Sequence, residues 1–176
     1  AAIAAVPEQG GTVTLLQSIE NQGLLVISKN VTLDLNGYNI EFAPNASGTR
    51  NYFQVYGGQL HLIGAGRVYE SSPYYSPVMV FGSTDATAED YSVVTIGEDV
   101  TLEGYYGLCI QNVTGNVSYG VRIDVDGTLL GHEDGSLGGV GLYVQGNVKA
   151  TTGNVPQITI GATAELRGDH CTTNTN

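Results

Sequence analysis

Three charged residues occupy alternate positions of one short stretch: Arg122, Asp124 and Asp126 interleave with Val121, Ile123 and Val125. Successive side chains of an extended chain point to opposite faces, so burying the aliphatics turns all three charged groups outward together. Two carboxylates beside a guanidinium could hold a divalent cation or act as an acid and base. The same pattern is also ordinary charge pairing on a strand surface, worth about 0.2–1 kcal/mol. A second polar group, His132, Glu133 and Asp134, lies between Gly131 and Gly135. With Asp124 or Asp126 approaching from a neighbouring strand, the carboxylates of Glu133 and Asp134 would suit calcium, although neither EF-hand nor repeat-toxin spacing accompanies them.

Eleven tyrosines with no tryptophan form a different set. Tyr56 and Tyr143 alternate outward beside Val55 and Val144, and the doublets Tyr74-Tyr75 and Tyr105-Tyr106 fall at strand ends or loops. Exposed phenol rings stack on sugar faces while their hydroxyls hydrogen-bond, which makes these six the candidate contacts for glycans or a surface protein. Tyrosine is also simply a favoured strand residue. His61, between Leu60 and Leu62, reads as a lone outward histidine with no nucleophile elbow to serve. Cys109 sits in Leu108-Cys109-Ile110 as a small buried thiol, and Cys171 lies 62 positions away in a polar tail; the two make no CxxC or Cys/His metal spacing, and a disulfide between them is the less favoured reading. Four Asn-x-Ser/Thr tripeptides and the glycine pairs carry no further chemistry, since no phosphate-binding lysine or strand-to-helix context accompanies the latter.

The elements that must position these residues are strands. Only 13% of the 176 residues are charged, against about 25% in ordinary soluble domains, while 25 are glycine. The net charge of −11 repels nucleic-acid phosphates and anionic membrane surfaces, and the longest aliphatic run, Leu24 to Ile27, is far too short to cross a bilayer. Gly-x6-Gly recurs at Gly57/Gly64, Gly97/Gly104, Gly120/Gly127, Gly139/Gly146, Gly146/Gly153 and Gly161/Gly168, with apolar-polar alternation between the glycines. Successive units advance by about twenty residues. Two architectures give such a pattern: antiparallel hairpins turning at Gly57-Gly58, Asp126-Gly127 and Gly146-Asn147, or a parallel β-helix whose coils turn at glycine corners. Ladders of Val, Ile and Leu favour the second. Segments 42–52, 69–77, 83–91 and 131–139 break the alternation and are expected to be excursions, which in a solenoid usually carry the binding surface.

The opening supplies a more specific indication. Ala1 to Val6, stopped by Pro7, reads as a short apolar helix covering the open end of a solenoid. It is followed by Gly10-Gly11-Thr12-Val13-Thr14-Leu15-Leu16, Gly23-Leu24-Leu25-Val26-Ile27 and Lys29-Asn30-Val31-Thr32-Leu33-Asp34-Leu35-Asn36-Gly37-Tyr38-Asn39-Ile40. This stretch resembles the start of right-handed parallel β-helix domains of pectin-lyase-like architecture in bacterial secreted and cell-surface proteins. The resemblance implies an all-β, single-domain solenoid of six to eight coils: a cap at 1–9, the β-helix at 10–168 and a polar tail at 169–176. It further implies an extracellular or cell-surface location within a longer parent chain, and adhesion or glycan binding without catalysis. The enzymes of that architecture suggest an alternative, a polysaccharide lyase or glycoside hydrolase in which Arg122 takes a proton from a uronate and Asp124 and Asp126 hold calcium or act as acid and base. The Asn-Thr-Asp and Gly-His-Gly motifs of the related hydrolases are absent, Gly131-His132-Glu133-Asp134-Gly135 departing from the latter. A phage tail or fibre segment is a third alternative. No cofactor beyond calcium is implied, and the expected partners are glycans or cell-surface proteins.

Overall fold

The computed structural model describes residues 2–113, 117–132, 139–145 and 153–168. Among the described residues a short helix, α1 (Ala2–Ala5), is followed by seventeen strands. They group in threes along the chain: β1 (Gly11–Thr14), β2 (Ile19–Gln22), β3 (Leu25–Ile27); β4 (Asn30–Asp34), β5 (Ile40–Phe42), β6 (Phe53–Tyr56); β7 (Gln59–Ile63), β8 (Gly66–Tyr69), β9 (Val78–Phe81); β10 (Ser92–Ile96), β11 (Val100–Gly104), β12 (Tyr106–Gln111); β13 (Val121–Val125), β14 (Thr128–Gly131), β15 (Val140–Val144); then β16 (Gln157–Ile160) and β17 (Glu165–Gly168). The first strand of every group joins sheet A, the second sheet B, and the third sheet C. Every pairing between these strands is parallel, so the chain is a single-domain parallel β-helix of six coils, and the hairpin architecture is excluded.

Stacking identical faces at about 4.8 Å turns the sequence alternation into ladders. Val31, Leu60, Val94, Ile123 and Ile158 follow one another up sheet A. Ile40, Val68, Leu102, Leu129 and Leu166 do the same in sheet B, and Ile27, Val55, Val80, Ile110 and Val144 in sheet C. Up to the fifth coil in sheets A and B and the fourth in sheet C the ladders meet in one aliphatic core, to which Phe42 and Phe53 add two large rings, whereas Val144 and Leu166 at the end of the ladders are exposed. Ile3 and Val6 of the opening segment pack on its first coil.

The repeat length is not the one the glycine spacing suggests. In register, the chain returns to sheet A at Gly11, Val31, Leu60, Val94, Ile123 and Ile158, giving coils of 20, 29, 34, 29 and 35 residues. The glycine pairs bracket single strands of different sheets: Gly57/Gly64 flank β7, Gly97/Gly104 flank β11, Gly120/Gly127 flank β13 and Gly161/Gly168 flank β17. The advance of about twenty residues from β11 to β13 therefore measures two strands, whereas a coil has three.

The variable length is spent at two corners only. Connections from sheet A to sheet B run two to five residues in every coil. Segments 43–52 and 70–77 extrude between sheets B and C, and 82–91 between sheets C and A, whereas most of the expected excursion at 131–139 lies outside the described residues. Sheet C thus lies as a floor between two banks of loops.

Candidate functional site

The outward positions of sheet C are mostly apolar or aromatic, with Gln54 and Gln111 as the polar members. Register places Val26, Gln54, Met79, Cys109 and Tyr143 in one row across the strands, with Tyr56, Phe81 and Gln111 in the next. Met79 and Cys109 are nevertheless buried, because Tyr52 at the end of the 43–52 excursion and Tyr75 from 70–77 fold down onto them. The result is a second apolar cluster, outside the solenoid and separate from its core, completed by Phe81, Tyr106 and Tyr143.

The rings of this cluster are in mutual contact. Tyr106 and Tyr143 stack at 4.2 Å with planes 9° apart, Tyr105 meets Tyr106 edge-on at 4.8 Å, and Tyr74 lies 5.0 Å from Tyr105. Tyr52 and Tyr75 stack at 6.1 Å beside them. Since these residues come from coils two to five, the aromatic ribbon runs along the solenoid axis, across the strands. It borders a trough of about 440 Å3 lined by Arg50, Tyr52, Tyr74, Tyr75, Met79 and Phe81. Burial pushes the Tyr52 phenol above its ordinary range and that of Tyr106 up to about 12. The Cys109 thiol is likewise pushed up to about 12, so it packs as a neutral group and is no nucleophile.

Tyr74 is held in a conformation that L-residues avoid. Its φ of 66° lies in the left-handed region, where a bulky side chain costs about 1–2 kcal/mol, and the residue is 55% exposed at the rim of the trough. Such strain persists where the surrounding structure imposes it, typically at binding sites.

The six tyrosines singled out from the sequence separate in the structure. Tyr74, Tyr75, Tyr106 and Tyr143 contribute to the ribbon, while Tyr105 is only 5% exposed and acts as the packing support between Tyr74 and Tyr106. Tyr56, in register with Phe81 on the same face of sheet C, stays outside the ring cluster, 45% exposed and edge-on to Tyr91 at 5.5 Å. Tyr52 and Arg50 were not among the candidates, having no alternation to mark them within a loop.

The charged set divides as well. Arg122 and Asp124 do project together from sheet A, with Nε and Oδ2 3.6 Å apart, but Arg122 Nη1 also sits 2.6 Å from Asp90 Oδ2 in the 82–91 excursion. Asp126 follows β13 at the corner, where its carboxylate occupies the space that a Cβ on Gly161 would need. Register sets His61, Thr95 and Asp124 in one row, His61 Nδ1 lying 3.0 Å from Thr95 Oγ1. Burial, reinforced by Arg122, holds the imidazole below its ordinary value. On sheet B, His132 Nδ1 is buried without a hydrogen-bond partner, 4.0 Å from Glu103 Oε1, while Glu103 is held by Arg67 at 2.8 Å. Glu133 and Asp134 lie outside the described residues, as does Cys171. Among the described residues no three His, Cys, Asp or Glu side chains gather where they could hold a metal ion.

Beneath the 43–52 and 70–77 excursions a carboxyl is fully buried. Glu70 Oε1 accepts the Ser72 amide at 2.9 Å and Oε2 has no partner, while Ser72 Oγ accepts the Asn45 amide at 2.6 Å and thereby ties the two loops together. Desolvation raises the carboxyl above its ordinary 4.5, partly offset by the hydrogen bonds from Ser72 and Asn45. A raised folded-state value means that the contribution to stability is whole below 4.5 and is lost as pH rises through the folded value. Chemical denaturation of Glu70→Gln and wild type across this range is expected to show the variant gaining on wild type above pH 4.5 and gaining least below it. Parallel pH profiles would contradict the buried carboxyl.

Comparison with protein-family models, with curated proteins and with solved structures finds no match for this chain.

Proposed function

We propose that the chain is a non-catalytic β-helix module, of pectin-lyase-like kind, in a bacterial secreted or cell-surface protein, and that it holds glycans in the trough on sheet C. The observation that supports this reading is the axial aromatic ribbon with the strained, exposed Tyr74 at its rim. Sugar rings offer apolar C–H faces that match phenol rings, and the polar ring edges reach the hydroxyls and Gln111 along the trough. A stiff solenoid also suits adhesion, since it carries such a surface away from the rest of a parent chain.

Tyr74→Asn separates function from stability. Asparagine tolerates the left-handed conformation better than tyrosine, so the variant is expected to melt no lower than wild type while losing at least tenfold in glycan affinity, by calorimetric titration. Wild-type affinity in the variant would remove the trough from the account.

The second reading, a polysaccharide lyase or hydrolase, is favoured by the row of His61, Thr95 and Asp124 beside Arg122. Against it, the Arg122 guanidinium is already engaged by Asp90 and Asp124. His61 and Asp124, two strand spacings apart, are separated by about 9.6 Å of backbone stacking.

A further inference from the structure

We propose that the trough selects glycans carrying one isolated anionic group, a carboxylate or sulfate ester set on an otherwise neutral saccharide, and that Arg50 is the residue that reads it. The inference rests on the trough being the glycan site.

The argument starts from the charge census. Seventeen carboxylates face six Lys and Arg. Among the described residues Lys29 pairs with Glu8, Arg67 with Glu103, Arg122 with Asp90 and Arg167 with Glu165. Lys149 lies outside them. Arg50 alone of the described cations has no carboxylate partner, although acidic side chains outnumber basic ones almost three to one. Its guanidinium is instead held at the trough by neutral groups: Nη1 donates to the Tyr75 hydroxyl at 2.7 Å and to the Thr49 carbonyl at 3.4 Å, and Cζ lies 5.5 Å from the Tyr75 ring centroid. Among the described residues no carboxylate lines the trough. A positive charge is therefore fixed in place with its remaining N–H donors uncommitted, and a planar guanidinium matches a carboxylate or sulfate in a paired hydrogen-bond geometry.

The same surroundings admit only one such group. Elsewhere the trough is lined by the exposed Tyr74 and the half-buried Tyr75, with Tyr52 buried beside them, and phenol faces carry a quadrupole that presents negative charge and disfavours anions. A uniformly acidic polysaccharide would set further carboxylates over those faces and within the field of a chain of net charge −11. Neutral sugars on the rings with one anionic substituent at Arg50 satisfy both halves of the site.

The test uses matched pairs of gluco-, xylo- and galacto-oligosaccharides, each pair differing by a single uronate, together with polygalacturonate, titrated into the whole chain at low and high salt. The acidic member of a pair is expected to bind about five- to tenfold tighter at low salt, with the preference shrinking at high salt and falling to about unity in Arg50→Gln. Polygalacturonate is expected to bind no better than the neutral members. Equal affinity within the pairs, a preference that survives Arg50→Gln, or tightest binding of polygalacturonate would overturn the inference while leaving the glycan site standing. No binding by any member would overturn the glycan site itself, and the inference with it.

Discussion

Phe53→Ala is expected to lower the unfolding free energy by about 4 kcal/mol, a large part of the roughly 5–15 kcal/mol that holds a domain together. Phe53 is fully buried in sheet C, between Leu25 below and Val78 above, and meets Phe42 edge-on at 5.2 Å and 89°. These are two of only three phenylalanines, in a core otherwise built from aliphatic ladders. Truncation removes a whole ring where every neighbour is fixed by its own ladder, so the cavity cannot collapse. Coils of a solenoid contact mainly their neighbours, so the damage should localise. Urea denaturation is expected to show the first coils unfolding ahead of the rest, and a single transition at the wild-type midpoint would contradict the placement of Phe53.

Gly127→Ala should cost about 3 kcal/mol without any change in hydrophobic content. Gly127 is buried at the corner between β13 and β14, and its carbonyl accepts the Glu165 amide of the next coil at 3.1 Å. A Cβ there would lie 2.4 Å from both the Gly97 and Val100 carbonyl oxygens of the coil before. Backbone on both sides leaves the added methyl no flexible neighbour to displace. Gly23 makes the contrast, since a Cβ at that position meets nothing nearer than Asn51 Oδ1 at 3.9 Å, and Gly23→Ala is expected to melt close to wild type. Equal melting temperatures for the two variants would show that the corners are not packed as described.

Gly127 also explains why the solenoid was legible in the sequence and its period was not. Glycine appears wherever the backbones of successive coils come within a side chain's reach, and that happens at corners of all three sheets. The spacing therefore counts strands. Alternation was a better guide: Leu60-His61-Leu62 and Ile123-Asp124-Val125 show one buried and one solvated face, and sheet A has that form. It failed for β9 and β12, where Val78-Met79-Val80 and Leu108-Cys109-Ile110 are apolar throughout. A continuous apolar run is what a strand buried on both faces looks like. That run is the sequence signal of the outer cluster, but which loop supplies the cover depends on register across coils of unequal length. Tyr52 and Arg50 were hidden for that reason, and Tyr105 read as exposed because its partner Tyr74 is 31 residues away in the chain.

The central claim is that the aromatic trough holds saccharide and that the Arg122 face does not cut it. The direct measurement incubates the protein, with and without calcium, with neutral and acidic polysaccharides and follows both polymer length and protein co-migration. Co-migration at unchanged polymer length, lost in Tyr74→Asn and retained in Arg122→Ala, is the predicted result. Shortening of any polymer that disappears in Arg122→Ala or Asp124→Ala would contradict the account and make the chain an enzyme.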